Sequence, residues 1–542
     1  VDDLLLYGPP GTGKTTAGIH WLGDRIEAGA DLYRCAFVSF TNAAVNEAKG
    51  RLERRFGVRP DELPFCRTLH ALCKRALGIS HTGWLADDRL KEFADEFGYD
   101  LKPERQRHAD AEDLIDRLER TGRDAPFLDV WDFGRQRLIT EPLAAWQAFA
   151  AYNPADLVFV PRERFVGFAM HYERWKRREA LRDMTDLLLE FLAYPVALPV
   201  SVAVIDEAQD LSPLMWAVVD RMFAAAEFRA ILGDDDQALY CFSGASPELL
   251  NGRQARQIIK LTHSYRLAAP TVRAALALIG RNRNREPKDL YPADHAGETG
   301  YAHSLSDLDL LSGETWFLQV RNWALFEQLA QQLEGRGIPY LARGGRRHSP
   351  WRSETALRAV RALVRLIDRQ PVTLTDVWAL TRFGHSERGE KAGIWTWGAK
   401  SRISERATRE PGASVQWHDL GDLGMTPNGV RTLLSHAPFG VLTRELSDRD
   451  LAAYTEAWQR GNLSREARVE VGSCHGFKGA EADRQVTVSG CTGRPYRALY
   501  DGERVEEERR VAYVALTRAR YGSYVLTPRP APGVYPWEVM RL

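Results

Sequence analysis

The stretch Gly8-Pro-Pro-Gly-Thr-Gly13-Lys14-Thr15 constrains this chain more than any other part of it. It has the form GxxxxGK[ST]. An apolar run, Leu4-Leu5-Leu6-Tyr7, leads directly into it, and Thr16 to Ile26 behind it reads as a helix. Strand, glycine loop and helix N-terminus together make an anion cradle. The glycines let successive backbone N–H groups turn inward, and the helix dipole favours negative charge at that end. Gly8, Gly11 and Gly13 supply the turn, and Lys14 is expected to reach the β- and γ-phosphates of ATP. The Thr15 hydroxyl is expected to ligate Mg2+, with Thr16 completing the nucleotide contacts. Such a start predicts a parallel α/β sheet built around a phosphate site. It says nothing about the work that the phosphate chemistry drives.

The other half of such a site is a strand ending in acids. Ser201-Val-Ala-Val-Ile205 is a continuous apolar run, the pattern of a strand buried on both faces. Asp206-Glu207-Ala-Gln-Asp210 follows at once. An Asp at a strand tip can hold the Mg2+ shell, so Asp206 joins Thr15 as a metal ligand, and Glu207 can polarise the attacking water. A third strand, Phe228-Arg-Ala-Ile-Leu232, ends in Gly233-Asp-Asp-Asp-Gln237. A side-chain amide at that tip can sense the γ-phosphate and the water.

Taken in order, these tips and the segments between them resemble the motifs of the superfamily 1 helicases, specifically the UvrD/Rep/PcrA group. The further matches are Ser39-Phe-Thr-Asn42, Arg67-Thr68-Leu-His70, Tyr240-Cys-Phe242-Ser-Gly244, Leu261-Thr-His-Ser-Tyr265-Arg266, Val471-Gly-Ser-Cys-His475-Gly-Phe-Lys478-Gly-Ala-Glu481 and Glu508 to Arg520. The resemblance implies two RecA-like P-loop motor domains, each a parallel sheet flanked by helices with an inserted, mainly helical subdomain. It implies that Tyr265 stacks on adenine, that Glu481 binds the ribose, and that Arg266 and Arg518 reach the γ-phosphate. Arginines supplied across a cleft make hydrolysis depend on cleft closure, which is what a motor requires.

By the same resemblance, Phe40, Thr41, Asn42, Thr68, His70, Tyr240, Phe242, His475 and Lys478 contact DNA. Aromatic stacking on bases tolerates any sequence and is worth about 1–3 kcal/mol per base. The hydroxyl, amide and imidazole groups suit phosphates and sugars near helix N-termini. Three departures from the family pattern stand out. Phe242-Ser243 replaces the usual Trp-Arg, Ala480 replaces the usual Leu before Glu481, and the adenine-reading Gln that the family carries upstream has no counterpart in the seven residues before Gly8.

Composition alone does not point to DNA. Lys+Arg and Asp+Glu both number 73, so the net charge is zero, and a DNA contact needs positive charge gathered on one surface. The six cysteines show no CxxC pair and no metal spacing, which predicts buried thiols in a reducing compartment. No run approaches the roughly 20 apolar residues needed to span a bilayer. A cytoplasmic protein without membrane contact is expected.

The motifs divide the chain. Residues 1–78 and 195–256 are expected to form one motor domain (1A), and 79–194, rich in Arg, Glu and Leu at helical spacing, its insertion (1B). Residues 257–369 and 467–542 form the other (2A), and 370–466 a short insertion (2B). The function implied is an ATP hydrolase and DNA helicase acting as a monomer on single-stranded and tailed duplex DNA, moving 3′-to-5′, with roles in DNA repair or replication. RNA as a track is compatible with stacking and phosphate contacts. The alternative is an ATP-gated DNA-binding switch, or a translocase that displaces proteins without processive unwinding.

Overall fold

The computed structural model describes residues 2–39, 41–79, 83–101, 122–194, 196–344, 348–386, 393–435, 438–442, 445–502, 504–527 and 532–541. The chain divides into two compact units, Val1–Tyr301 with Phe477–Leu542, and Ala302–Gly476.

The first unit is framed by strands β1 (Asp2–Tyr7), β2 (Cys35–Ser39), β3 (Cys66–Thr68), β4 (Val202–Ile205), β5 (Phe228–Gly233) and β6 (Gln257–Lys260). They form one sheet in the order β3-β2-β4-β5-β1-β6, and every pairing is parallel. In β1, Leu4 and Leu6 pack with Ile19, Leu22, Phe37 and Val204, while Leu5 and Tyr7 pack with Leu69, Leu72, Ile205 and Leu214. A period of two with both faces apolar suits a parallel sheet covered by helices on each side. Fully burying each such side chain contributes about 1.5–3 kcal/mol.

Register then sets the site. Tyr7 lies opposite Gly233, and Val38 opposite Ile205. The phosphate loop, Asp206 and Asp234 therefore leave the sheet along one edge, outside the carboxyl ends of the strands, where α/β sheets bind ligands. β5 lies between β1 and β4. The strand that carries Gln237 thus separates the phosphate loop from the acids. β6, grouped on sequence with residues 257–369, is the edge strand beside β1.

Helix α1 (Lys14–Glu27) starts directly after Gly13, whose φ of 76° is left-handed and natural only for glycine. No side chain caps this end, so its first N–H groups stay available to phosphate. Helix α2 (Asn42–Phe56), by contrast, is capped by Thr41, whose hydroxyl accepts from the Ala44 N–H at 3.3 Å. After α3 (Leu69–Ala76), the described residues supply helices Asp87–Phe97, Pro126–Gln136, Pro142–Tyr152, Arg162–Arg178 and Met184–Ala193. Their own core is aromatic, centred on Phe93, Phe127, Phe133, Phe168, Tyr172 and Trp175.

The first unit also contains helix Ala269–Ile279, helix Arg504–Leu516 and the parallel strand pair Ala482–Val488 and Ala519–Leu526. The sequence suggests a helix from Glu506 through Arg520, yet it ends at Leu516 and Ala519 enters a strand. Tyr521, Tyr524 and Val525 fit a half-buried pleated surface better than a helix. Arg518 consequently sits in the turn between helix and strand.

In the second unit, Val469–Ser473 pairs in parallel with Trp316–Val320 on one side and Tyr340–Arg343 on the other. Helices Phe326–Glu334, Glu354–Ile367, Leu374–Phe383, Ala399–Arg409 and Asp448–Gln459 accompany them. The chain is therefore α/β with parallel sheets flanked by helices, the architecture of two RecA-like domains. All six cysteines are buried and no disulfide joins them. Among the described residues, no helix is long and apolar enough to cross a membrane.

Candidate active site

The phosphate loop is held by its own backbone and by the strand beside it. Gly8 N–H donates to the Gly233 carbonyl at 3.1 Å and Thr12 N–H to the Pro9 carbonyl at 3.2 Å. Gly11 has a φ of 75°, and a side chain there would also strike Arg266, whose Cβ lies 2.6 Å from the position a Cβ would take. Glycine is needed twice over. Thr16, one residue past the loop threonine, accepts from Arg51 at 2.6 Å.

Lys14 is buried, with its ammonium 3.2 Å from Glu207 Oε2 and 4.0 Å from Asp206 Oδ1. Thr15 donates its hydroxyl to Asp206 Oδ2 at 2.7 Å. Burial, helped by neighbouring Glu207, pushes the Asp206 carboxyl up to about 6 although Lys14 opposes it. Burial acts to raise Glu207 as well, but Lys14 and Lys478 outweigh it and leave that carboxyl at about 2. Glu207 is thus the stronger acid of the pair, while Asp206 sits in a place that a cation would relieve. The Thr15 hydroxyl and the Asp206 carboxylate are hard oxygen donors already in contact, a set that fits Mg2+.

Glu207 adopts φ 55°, ψ 40°, the left-handed region that a non-glycine residue occupies at a cost of about 1–3 kcal/mol. Its surroundings hold it there. Its N–H donates to Asp206 Oδ1 at 2.9 Å, and the Gln209 amide nitrogen donates to its carboxylate. The other end of the Gln209 amide accepts from Asp234 N–H at 3.1 Å, tying the tip of β4 to that of β5.

Gln237 donates through Nε2 to Asp234 Oδ2 at 2.7 Å and accepts at Oε1 from Arg518 Nη2 at 3.3 Å. Arg518 is 2% exposed and also donates to the Val514 carbonyl at 2.8 Å. It makes no ion pair with a carboxylate among the described residues. Burial, reinforced by nearby Arg266, lowers its guanidinium to about 9. A buried arginine without a carboxylate is an anion site in waiting.

Arg266 donates to Glu481 at 2.9 Å and to the Thr517 carbonyl at 3.3 Å, so the two arginines are neighbours. Arg520 also donates to Glu481. Burial works against the Glu481 carboxylate, but Arg266 and Arg520 hold it below its usual value. Next to Arg266, Tyr265 is 72% exposed while its backbone N–H donates to the Gly11 carbonyl at 2.8 Å. A ring pinned beside the phosphate loop is well placed to stack on a base.

The residues assigned to DNA are spread more widely. Thr41 and Asn42 are exposed at the start of α2. Thr68 and His70 line, with Ser39, Asp206 and Met215, a cavity of about 70 Å³. Burial pulls the His70 imidazole down to about 4, so it is neutral at physiological pH. Tyr240 and Phe242 are half-buried with ring centroids 6.2 Å apart. His475 belongs to the second unit and is buried, and Phe40 lies outside the described residues.

Lys478 is the surprise. Its ammonium bonds Asp210 and donates to the Gln237 carbonyl at 2.9 Å, with Glu207 at 4.0 Å and the Tyr240 ring at 5.2 Å. It therefore belongs to the acid cluster of Glu207 and Asp210 at the strand tips. Gln209, Asp210 and Asp234 also build the site, although the sequence assigns them no role. Their signal was only their place at strand tips.

Comparison with known proteins fits this geometry. Residues 2–256 match the UvrD/REP helicase N-terminal domain, and residues 450–527 match the UvrD-like helicase C-terminal domain, together more than half of the chain. The chain belongs to the UvrD/Rep helicase family. Its relatives carry names of ATP-dependent DNA helicases. UvrD2 of Mycobacterium tuberculosis is 26% identical over 94% of this chain and 74% of its own length. Rep of Salmonella typhimurium is 24% identical over 95% of this chain and 87% of its own. The putative helicase YjcD of Bacillus subtilis is 24% identical over 54% of this chain, which spans 38% of that protein. In this UvrD/Rep-type chain, the Phe242-Ser243 departure leaves a smaller ring beside Tyr240 and a neutral, exposed Ser243.

Proposed function

We propose that the chain is an Mg2+-dependent ATP hydrolase that moves 3′-to-5′ along single-stranded DNA as a monomer and unwinds tailed duplex DNA. The observation that carries the reading is Arg518, buried, without a carboxylate partner among the described residues, bonded to Gln237 and adjacent to Arg266. With Lys14, these groups supply the positive charge that a γ-phosphate requires.

Lys14 and the N–H groups at the start of α1 bind the β- and γ-phosphates, while Tyr265 stacks on adenine and Glu481 takes the ribose. Thr15 and Asp206 would hold Mg2+, which would supply charge neutralisation for the phosphates. Gln237 orients a water in line with the γ-phosphorus. Glu207 takes a proton from that water as its oxygen attacks and the bond to the β,γ-bridging oxygen breaks, giving ADP and phosphate. Arg266 and Arg518 stabilise the charge on the transferring group, an effect worth about 10³–10⁵ in kcat where such arginines are removed from related chemistry. Tyr240, Phe242, Thr41, Asn42, Thr68 and His70 grip the strand through stacking and backbone contacts.

The test is ATPase rate with and without oligo(dT), followed by unwinding of duplexes bearing a 3′ or a 5′ tail. A strong rise with DNA and unwinding from the 3′ tail are expected. Equal rates with and without DNA would overturn the coupling, and preferential unwinding from the 5′ tail would overturn the polarity.

A further inference from the structure

Asp234, Asp235 and Asp236 stand in a row at the tip of β5, buried, with one carboxylate oxygen from each within 4.8 Å of the others. Three carboxylates removed from water demand positive charge. It comes from the segment that follows helix Ala269–Ile279. Lys288 is buried and places its ammonium 3.0 Å from Asp234 Oδ1 and 3.1 Å from Asp236 Oδ2, and it bonds Asp235 too. Arg285 forks onto Asp236 at 2.9 and 2.6 Å. Burial disfavours the Lys288 ammonium, but the three carboxylates outweigh it and hold that form well above its usual range. The centre of the cluster is filled by a side chain of the protein.

Gln237 depends on this arrangement. Asp234 turns Oδ1 to Lys288 and Oδ2 to Gln237 Nε2, which donates at 2.7 Å. The two ends of an amide have nearly the same shape, so hydrogen-bond partners alone decide which end points where. With Nε2 committed to Asp234, Oε1 faces Arg518. We propose that Lys288 is a positioning residue for ATP hydrolysis, anchoring Asp234 so that the Gln237 amide presents its carbonyl oxygen to Arg518 and to the attacking water. This rests on the reading of Gln237 as the γ-phosphate and water sensor. Without the ammonium, the three carboxylates repel one another, Asp234 leaves its place, and Gln237 swings free or turns over.

The experiment measures kcat and KM for ATP separately, at saturating oligo(dT), in wild type, Gln237→Ala, Lys288→Met and the double variant. Gln237→Ala is expected to lower kcat at least about tenfold with KM within about threefold, the pattern of an interaction made in the transition state. Lys288→Met is expected to do the same. Because Lys288 acts through Gln237, the double variant should stay within about twofold of Gln237→Ala. Losses that multiply in the double variant, wild-type kcat in Lys288→Met, or a large rise in KM would overturn the proposal. Wild-type kcat in Gln237→Ala would instead overturn the reading of Gln237 itself. If Lys288→Met yields no folded protein, Asp234→Asn carries the same test, since it puts a donor where Gln237 or Lys288 needs an acceptor. Its expected loss of kcat should likewise vanish in the Gln237→Ala background, and wild-type kcat in Asp234→Asn would refute the relay.

Discussion

Replacing Arg518 with methionine should make the nucleotide-free protein more stable while nearly abolishing its turnover. The guanidinium is 2% exposed, and burial together with Arg266 lowers it from 12.5 to about 9. A drop of that size corresponds to about 5 kcal/mol against the folded, charged state. The sign follows from linkage: the folded pKa lies below the unfolded one, so the penalty is present at every pH below about 9 and relieved only above it. A melt near neutral pH reads it in full. Methionine keeps most of the length of the side chain and removes the charge. It also gives up the hydrogen bonds to the Val514 carbonyl, the Gln237 amide and the Thr517 hydroxyl. Those are worth together about 2–4 kcal/mol.

The net gain is then about 1–3 kcal/mol, which for a unit of several hundred residues shifts Tm upward by about 1–4 °C. Thermal melts of wild type and Arg518→Met without nucleotide, and again with a non-hydrolysable ATP analogue, test this. The analogue should stabilise wild type much more than the variant, since only wild type has a buried charge to neutralise. Turnover on oligo(dT) should fall by about 10³-fold or more. A variant that melts well below wild type, or that hydrolyses ATP within tenfold of it, would refute the argument that Arg518 is held as an uncompensated charge for the γ-phosphate.

Glu207→Gln should bind ATP with nearly wild-type affinity and lose about 10²–10⁴ in turnover, read by equilibrium binding beside steady-state ATPase. Near-normal turnover would remove Glu207 from the role of proton acceptor. Phe242→Ala should weaken single-stranded DNA binding by about 1–3 kcal/mol, roughly 5- to 150-fold in Kd, and leave the KM for ATP unchanged. Fluorescence anisotropy with labelled oligo(dT) measures it, and an unchanged Kd would make Phe242 a packing residue.

The parts of this site that could be read from the sequence are those whose chemistry is local. A phosphate loop needs glycines, a lysine and a hydroxyl within eight residues, and Ser201 to Asp210 carries a buried strand and its acids in one stretch. What escaped reading is pairing over distance. Lys478 meets Asp210 across 268 positions, and Lys288 meets Asp235 across 53. Lys478 stands in a legible motif, but nothing local names Asp210 as its partner, and Lys288 has no pattern that distinguishes it from a solvated lysine. The placement of β5 between β1 and β4 escaped for the same reason, because apolar runs fix strands but not their order. The end of the helix at Leu516 was hidden by good helix formers on both sides of Thr517, and only the partner strand Ala482–Val488 shows why the chain leaves the helix there.

These long-range pairs also say how the site can respond to its substrate. Lys14 holds Glu207 at 3.2 Å, and Arg266 holds Glu481 at 2.9 Å. Lys14 cannot serve Glu207 fully and grip the β- and γ-phosphates as well. Arg266 likewise cannot remain on Glu481 while it reaches the γ-phosphate and Glu481 takes the ribose. Under the proposed mechanism, nucleotide binding exchanges partners: each cation leaves a carboxylate for a phosphate, and each carboxylate is released toward its own task, Glu207 toward water and Glu481 toward the sugar. Among the described residues, Arg518 has no such partner to leave. In the same proposal it answers the γ-phosphate directly while it keeps its bond to the Gln237 carbonyl oxygen, and Asp234 holds that amide in position. ADP, which lacks that phosphate, would give Arg518 no new partner. The difference between the two nucleotides is thus concentrated on one turn, Thr517-Arg518, at the junction of a buried helix and a strand, where it can be passed to the rest of the fold.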